Sequence, residues 1–247
     1  MKKLSLQKAL VIFSGGQDST TCLFWAMQNF TEVYALSFDY GQRHRIELEA
    51  ARNIAAETIG AEKHFILPLD LFNHIGAPCS LITPKTSVDE GRSDKTTEEA
   101  CGKKLTQTGL PDSFVPGRNL IFINIAAAYA YKIDAANIVT GVCQTDYSGY
   151  PDCRDDTIKS LQVSLNLGME ANFNIHTPLM WMTKAQSILL AEKLGALETL
   201  GLSHTCYHGQ NPPCGNCAAC QLRAKGFAEA GITDPLKTRA CEFKINP

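Results

Sequence analysis

The stretch FSGGQDSTT, Phe13 to Thr21, closes the short apolar run Ala9–Phe13 and opens a polar one. Two adjacent glycines stand between serines, and a carboxylate follows two residues later. It is not a Walker A loop, because no Gly-Lys-Ser/Thr follows, and the G-x-G-x-x-G spacing is missing. Yet the chemistry of an anion cradle is there. Gly15 and Gly16 let the backbone turn tightly and come close to an anion. Ser14 and Ser19 offer hydroxyl donors. The helix that follows offers free N–H groups and the positive end of its dipole. Asp18 would repel a bare phosphate, so it fits if a divalent metal ion bridges carboxylate and phosphate. The plain alternative is a glycine-rich strand-to-helix turn with Asp18 as N-cap.

Outward from this loop, strand-like and helix-like runs alternate. Ala9–Phe13, Glu32–Phe38, Lys63–Leu69, Asn137–Val142 and Asn172–Leu179 read as strands. A helix over Arg43–Ile59 puts Ala50, Ala51, Ile54, Ala55 and Thr58 on one face, and Gly60 ends it. Arg118–Ile133 reads as a buried helix, too short to span a bilayer and interrupted by Asn124. Thr183 caps a last helix, with Gln186 completing a capping box. The rhythm predicts an α/β fold, a Rossmann-like parallel sheet of about five strands with helices on both faces. Such sheets bind ligands at their C-terminal strand ends. Polar or glycine-rich motifs follow four of these strands: SGGQDS, DYGQRH, TGVCQTDYSGYPDCR and HTPLMWMTK. Residues 83–112 read as a long loop, either a lid or an inert insertion. The expected division is an α/β domain over 1–200 and a small cysteine-bearing region over 201–247.

The chain has 247 residues, 45% of them hydrophobic, and a formal net charge of −2. That balance argues against attachment to nucleic acid mainly by charge. Lys8 interrupts the N-terminal apolar run, which is too short for a secretory signal. Ten cysteines without such a signal point to a reducing cytosol, where clustered cysteines bind metal more often than they pair. Cys206, Cys214, Cys217 and Cys220 form a C-x7-C-x2-C-x2-C array whose four thiolates suit a tetrahedral, structural zinc ion. An iron–sulfur cluster is the minor alternative. His204 and His208 read as bystanders to a site already closed by sulfur.

TDYSGYPDCRDD, Thr145 to Asp156, is dense in recognition groups. Tyr147 and Tyr150 can stack on a flat ring. Asp146 or Asp152 can accept hydrogen bonds from a guanine-like edge, and Arg154 can clamp a carboxylate. Arg118 and Asn119 begin a helix at a strand end. Lys184 reads as a solvated lysine in a first turn, or as a group that neutralises charge on transferring phosphates.

SGGQDS resembles the PP-loop, S-G-G-x-D-S, of the N-type ATP pyrophosphatases, with Ser14, Gly15, Gly16, Asp18 and Ser19 all matching. The resemblance implies that Phe13, Ser14, Gly15, Gly16, Gln17, Asp18, Ser19 and Thr20 bind ATP, with Mg2+ on Asp18. It sets Arg43 and His44 beside the adenosine and Tyr40 near the substrate. It gives Asp18, Ser19, Arg118 and Lys184 catalytic roles. Together with SFDYGQRHR, FVPGRN, TGVCQTDYSGYPDCR, HTPL and the cysteine array, the motifs resemble the deazaguanine-nitrile-forming branch of that family from Ala9 to Arg223. The implied reaction joins 7-carboxy-7-deazaguanine, free ammonia and ATP in a cytoplasmic homodimer. A PP-loop tRNA sulfur-transfer enzyme using Cys143 or Cys153 is the runner-up. A zinc module binding nucleic acid through Arg223 and Lys225 is a more distant one.

Overall fold

The computed structural model describes residues 2–42, 45–74, 114–145 and 149–236. Its centre is β1, Ser5–Ile12, in a five-stranded sheet of order β3-β2-β1-β4-β5. The other strands are β2 (Glu32–Asp39), β3 (His64–Pro68), β4 (Ala135–Val139) and β5 (Asn174–His176), and every pair is parallel. Strands covered on both faces need continuous apolar runs, and β4 is buried at all five positions.

Side chains alternate between the two faces. Ala9, Val11 and Val139 pack on one side against Leu23 and Ala26 of α1 (Gln17–Asn29) and Ile54 and Ala55 of α2 (Ile46–Thr58). Leu10, Leu36 and Ile138 pack on the other against Ala126 and Ala127 of α4 (Arg118–Lys132) and Leu165 of α5 (Asp155–Gly168). Each fully buried aliphatic side chain contributes roughly 1.5–3 kcal/mol relative to exposure. The sheet is thus clad on both faces, as the sequence predicts. A short helix, α3 (Leu71–His74), follows β3. Among the described residues no helix is long and apolar enough to cross a membrane.

Boundaries differ from the sequence reading where backbone pairing, not hydrophobicity, decides them. β1 starts at Ser5 rather than Ala9, because Ser5 pairs with Ala135 through an irregularity before Ala9. β4 stops at Val139 rather than Val142, which frees Gly141–Cys143 to turn over the sheet's end. α2 begins at Ile46, after a turn in which Gln42 accepts the Tyr40 N–H (2.8 Å) and donates to Phe38 O (3.1 Å).

The strand order reverses between β1 and β4. The chain moves outward from β1 through β2 to β3, then crosses back to β4. Loops leaving the C-terminal ends of β1 and β4 therefore diverge and leave a crevice. α6 (Lys184–Lys193) and α7 (Ala218–Ala230) pack against each other, and Lys184, Ala219 and Leu222 share a cavity with Ser14 and Asp18. Thr183 caps α6 with the full capping box to Gln186. α7 approaches α6 closely at Gly226, where an added Cβ would come within 2.5 Å of Lys184 Cγ and 3.0 Å of Ile188 Cδ1.

Candidate active site

The loop after β1 holds its shape by local bonds. Gly15 has φ +81°, and a Cβ there would lie 2.4 Å from Glu47 O and 2.6 Å from Ala51 N. Both conformation and space therefore demand glycine. The Ser19 hydroxyl bonds Gly16 O (3.1 Å) and accepts the Ser14 N–H (3.2 Å), while Ser14 Oγ accepts the Gly16 N–H (3.2 Å). Phe13 N–H donates to Leu36 O at 2.8 Å. Gly16 is the N-cap of α1 and supplies no side-chain cap, so Asp18 is not the N-cap.

Asp18 meets Lys184 instead, Nζ to Oδ2 at 2.7 Å, with side chains 28% and 15% exposed. The reading of Lys184 as a solvated lysine gives way to a half-buried ion pair. Asp18 lines three adjoining cavities. Its Oδ1 is buried without a hydrogen-bond partner among the described residues. Such a carboxylate oxygen fits a bound cation.

Aromatic side chains wall a cavity of about 290 Å³ between β1 and β4, bordered by Ser14, Asp18, Ser19, Tyr40, Arg118 and Tyr150. Phe38 and Phe122 stack beneath it, with centroids 4.2 Å apart and planes 11° off parallel. Arg118 donates to the Tyr40 hydroxyl at 3.4 Å. Burial works against its charge, but Tyr40, Tyr150, Asp152 and Tyr207 around it push its pKa up overall. Asp152, 4% exposed, accepts the Asn119 N–H at 3.0 Å and so anchors the start of α4 beside Arg118. Arg154 is exposed at the start of α5. Thr20 is fully buried, its hydroxyl on Gly16 O at 2.8 Å, and Gln17 is 3% exposed beneath the loop. Arg43, His44, Asp146 and Tyr147 lie outside the described residues, as does the 83–112 stretch.

Sequence reasoning passed over three groups that the fold brings in. Glu47 borders the crevice from α2 and is bonded by Gln42 Nε2 at 3.3 Å. Thr205 and Tyr207 arrive from the cysteine segment. Nothing in a helical glutamate or a lone threonine distinguishes it locally; tertiary contact alone selects it. Cys143 lines the cavity with Cys153, while Cys22 is a buried packing residue whose thiol is pushed up by burial, then by Asp18 and Cys143.

The four predicted cysteines converge. The sulfurs of Cys206, Cys214, Cys217 and Cys220 lie within 4.8 Å of one another, and Cys214 Sγ is 3.9 Å from Cys220 Sγ. A tetrahedron with metal–sulfur bonds near 2.3 Å has edges of about 3.8 Å, so the set fits one ion. Backbone N–H groups support it: Cys214 N–H points to Cys206 Sγ (3.5 Å) and Cys217 N–H to Cys214 Sγ (3.3 Å). Burial opposes ionisation of Cys214, but the N–H groups of Asn216 and Cys217 and the neighbouring thiols bring it down to about 7. Arg223, expected as a surface cation, is buried. It is 4% exposed and bidentate to Asp234 (2.7 and 2.8 Å), with further bonds to Ser203 Oγ and Leu200 O.

A family model described as queuosine biosynthesis protein QueC matches residues 8–231. A 7-cyano-7-deazaguanine synthase of Chromobacterium violaceum is 52% identical over 241 residues, 97% of each chain. One from Laribacter hongkongensis is 52% identical over 94% of this chain and 95% of its own. Among solved structures, a 4-thiouridine synthetase–RNA complex with bound ATP is 16% identical with TM-score 0.45, covering 91% of this chain and 50% of that one. That likeness is too loose to bear on mechanism.

Proposed function

The chain belongs to the queuosine biosynthesis family QueC, and from that premise we propose how its crevice makes 7-cyano-7-deazaguanine. The enzyme acts in queuosine biosynthesis and uses ATP. The observation that supports the detailed reading is a shared wall: Ser14, Asp18 and Ser19 border both the small cavity under α7 and the aromatic cavity beside Arg118. One loop can then hold phosphates on one side and present the α-phosphorus to a flat substrate on the other.

The substrate is 7-carboxy-7-deazaguanine. Its carboxylate oxygen attacks the α-phosphorus of ATP, and pyrophosphate leaves. Ammonia then displaces AMP from the acyl adenylate to give the amide. A second ATP adenylates the amide oxygen, and loss of that oxygen as AMP, with two protons from nitrogen, leaves the nitrile. Neither oxygen departs readily until it carries phosphorus. Both activations need an oxygen in line with the α-phosphorus, so one site serves twice.

In this reading Ser14–Ser19 and the first turn of α1 bind the pyrophosphate portion. Asp18, with its buried, unpartnered Oδ1, would hold Mg2+, which would supply charge neutralisation. Lys184, released from Asp18, neutralises charge on the transferring phosphates. Arg118 faces the reacting carboxylate, and Tyr40 and Tyr150 flank the ring. Arg43 and His44 serve the adenosine; Asp146, Tyr147, Asp152 and Arg154 are the remaining substrate candidates. The four-cysteine ion is zinc in a closed, structural site. The working form is a cytoplasmic homodimer that takes free ammonia and binds no nucleic acid. A tRNA sulfur-transfer role for Cys143 or Cys153 is not favoured by the relatives.

The test mixes purified protein, 7-carboxy-7-deazaguanine, ammonium and Mg-ATP and follows products by mass spectrometry. Nitrile plus AMP is expected, with Asp18→Asn lowering AMP formation by about 10³-fold. AMP with amide alone would remove the second activation. Unchanged acid and ATP would overturn the reading.

A further inference from the structure

The small cavity under α7, about 190 Å³, has two walls of different origin. One is the loop after β1, with Ser14, Gln17, Asp18 and Ser19. The other comes from the cysteine segment, with Thr205 and Tyr207 flanking Cys206. The two walls are tied together by the backbone, since His204 N–H donates to Gly15 O at 3.0 Å. Cys206 is fully buried between Thr205 and Tyr207 and is one of the four converging thiols. The Arg223–Asp234 pair and the Arg223 bonds to Ser203 and Leu200 clamp the segment from behind.

Three polar atoms at this cavity are buried without a hydrogen-bond partner among the described residues: Gln17 Nε2, Asp18 Oδ1 and Thr205 Oγ1. Leaving a buried donor or acceptor unmade is costly, so native structures rarely keep several together unless a ligand completes them. Two of the three, an amide N–H and a hydroxyl, can donate to an anion, and Lys184 adds positive charge to the same wall.

We propose that Thr205 is a phosphate-binding residue: its hydroxyl, fixed in place by Cys206 and its metal, donates to the pyrophosphate portion of ATP from the side opposite the loop after β1. The cysteine module is then part of the nucleotide pocket, not a remote staple. The proposal rests on the reading that the Ser14–Ser19 loop takes pyrophosphate.

Titration calorimetry of the full chain with inorganic pyrophosphate and Mg2+ tests it. Thr205→Val keeps the side chain's shape but removes the hydroxyl. Affinity should fall about tenfold, the effect of one hydrogen bond to a charged group. Thr205→Ser should restore it. The melting temperature of T205V should be unchanged or higher, because an unpaired buried hydroxyl has gone. A merely structural threonine would give the opposite pattern: a lowered melting temperature with affinity within twofold of wild type. That pattern overturns the proposal. Should T205V fail to fold, Thr205→Ala replaces it in the same comparison. Wild-type protein that binds no pyrophosphate would sink the loop assignment as well. Loss of binding in Asp18→Asn with none in T205V sinks Thr205 alone.

Discussion

The loop after β1 and the cysteine segment before α7 are both short, turn-rich and dense in ligand-capable atoms, but they are held in opposite ways. Ser14, Gly16 and Ser19 bond one another within a six-residue span, and Gly15 fits against α2 because it has no side chain. The cysteine segment has few such internal bonds; its four sulfurs all lie within 4.8 Å of one another. Four sulfurs in that arrangement repel when ionised and are stabilised together by a cation. One region is shaped by its own backbone, while the other brings together four thiols whose spacing suits one metal ion. The difference teaches that residues facing each other across one cavity can depend on unrelated sources of order.

Removing the metal should produce the largest effect, since structural zinc sites contribute on the order of 10 kcal/mol in small modules. Treatment with a strong chelator should release one metal ion per chain, read by atomic absorption. It should lower the melting temperature by more than about 10 °C and weaken pyrophosphate binding in parallel. Pyrophosphate affinity that survives demetallation would show the two regions to be independent, breaking the comparison.

The Arg223–Asp234 clamp comes next. Asp234→Ala leaves a buried guanidinium without its carboxylate, which costs about 3–5 kcal/mol. Urea unfolding should show that loss. Because Thr205 and Arg223 line one cavity with the loop after β1, pyrophosphate affinity should fall by more than the unfolded fraction; affinity that merely tracks the fraction folded would show the two walls to be independent.

The smallest effect is a pH dependence on the loop side. Ser37 Oγ donates to Phe13 O and accepts from His64 Nε2 at 2.7 Å, so the imidazole braces the end of β1. Burial, then Arg52, lowers the His64 pKa from 6.5 to about 4. The unfolded chain therefore binds a proton that the folded one refuses between those values. Stability is full above pH 6.5, falls as pH drops towards 4, and levels below it. The loss should be roughly 1–2 kcal/mol after discounting for partial exposure. His64→Gln should flatten that part of the urea-unfolding profile between pH 7 and 4; an unchanged slope would assign it to other groups.

Much of this was legible because it is local. Gly15, Asp18 and the cysteine spacings announce a turn, a charge and a metal array within a few residues of one another. The strands were visible as apolar runs because both sheet faces are covered. Their ends were not, since Ser5 joins β1 in register with Ala135 by donating its N–H to Asp134 O, a hydrogen bond that no side chain advertises. Arg223 looked like a surface cation and is instead buried, because its partner Asp234 lies eleven residues away on the next turn of chain.

By itself, then, the amino-acid sequence determined the alternating α/β order, the glycine-rich turn after β1 and the four-thiolate array, each encoded by short-range sterics and periodicity. Tertiary structure alone decided that Lys184 pairs with Asp18, that Asp152 anchors α4 beside Arg118, and that Thr205 faces Gln17 across one cavity. Those pairings join residues tens to nearly two hundred positions apart. They exist because parallel strands bring the C-terminal ends of distant segments to one edge of the sheet, where no local pattern records who the neighbours are.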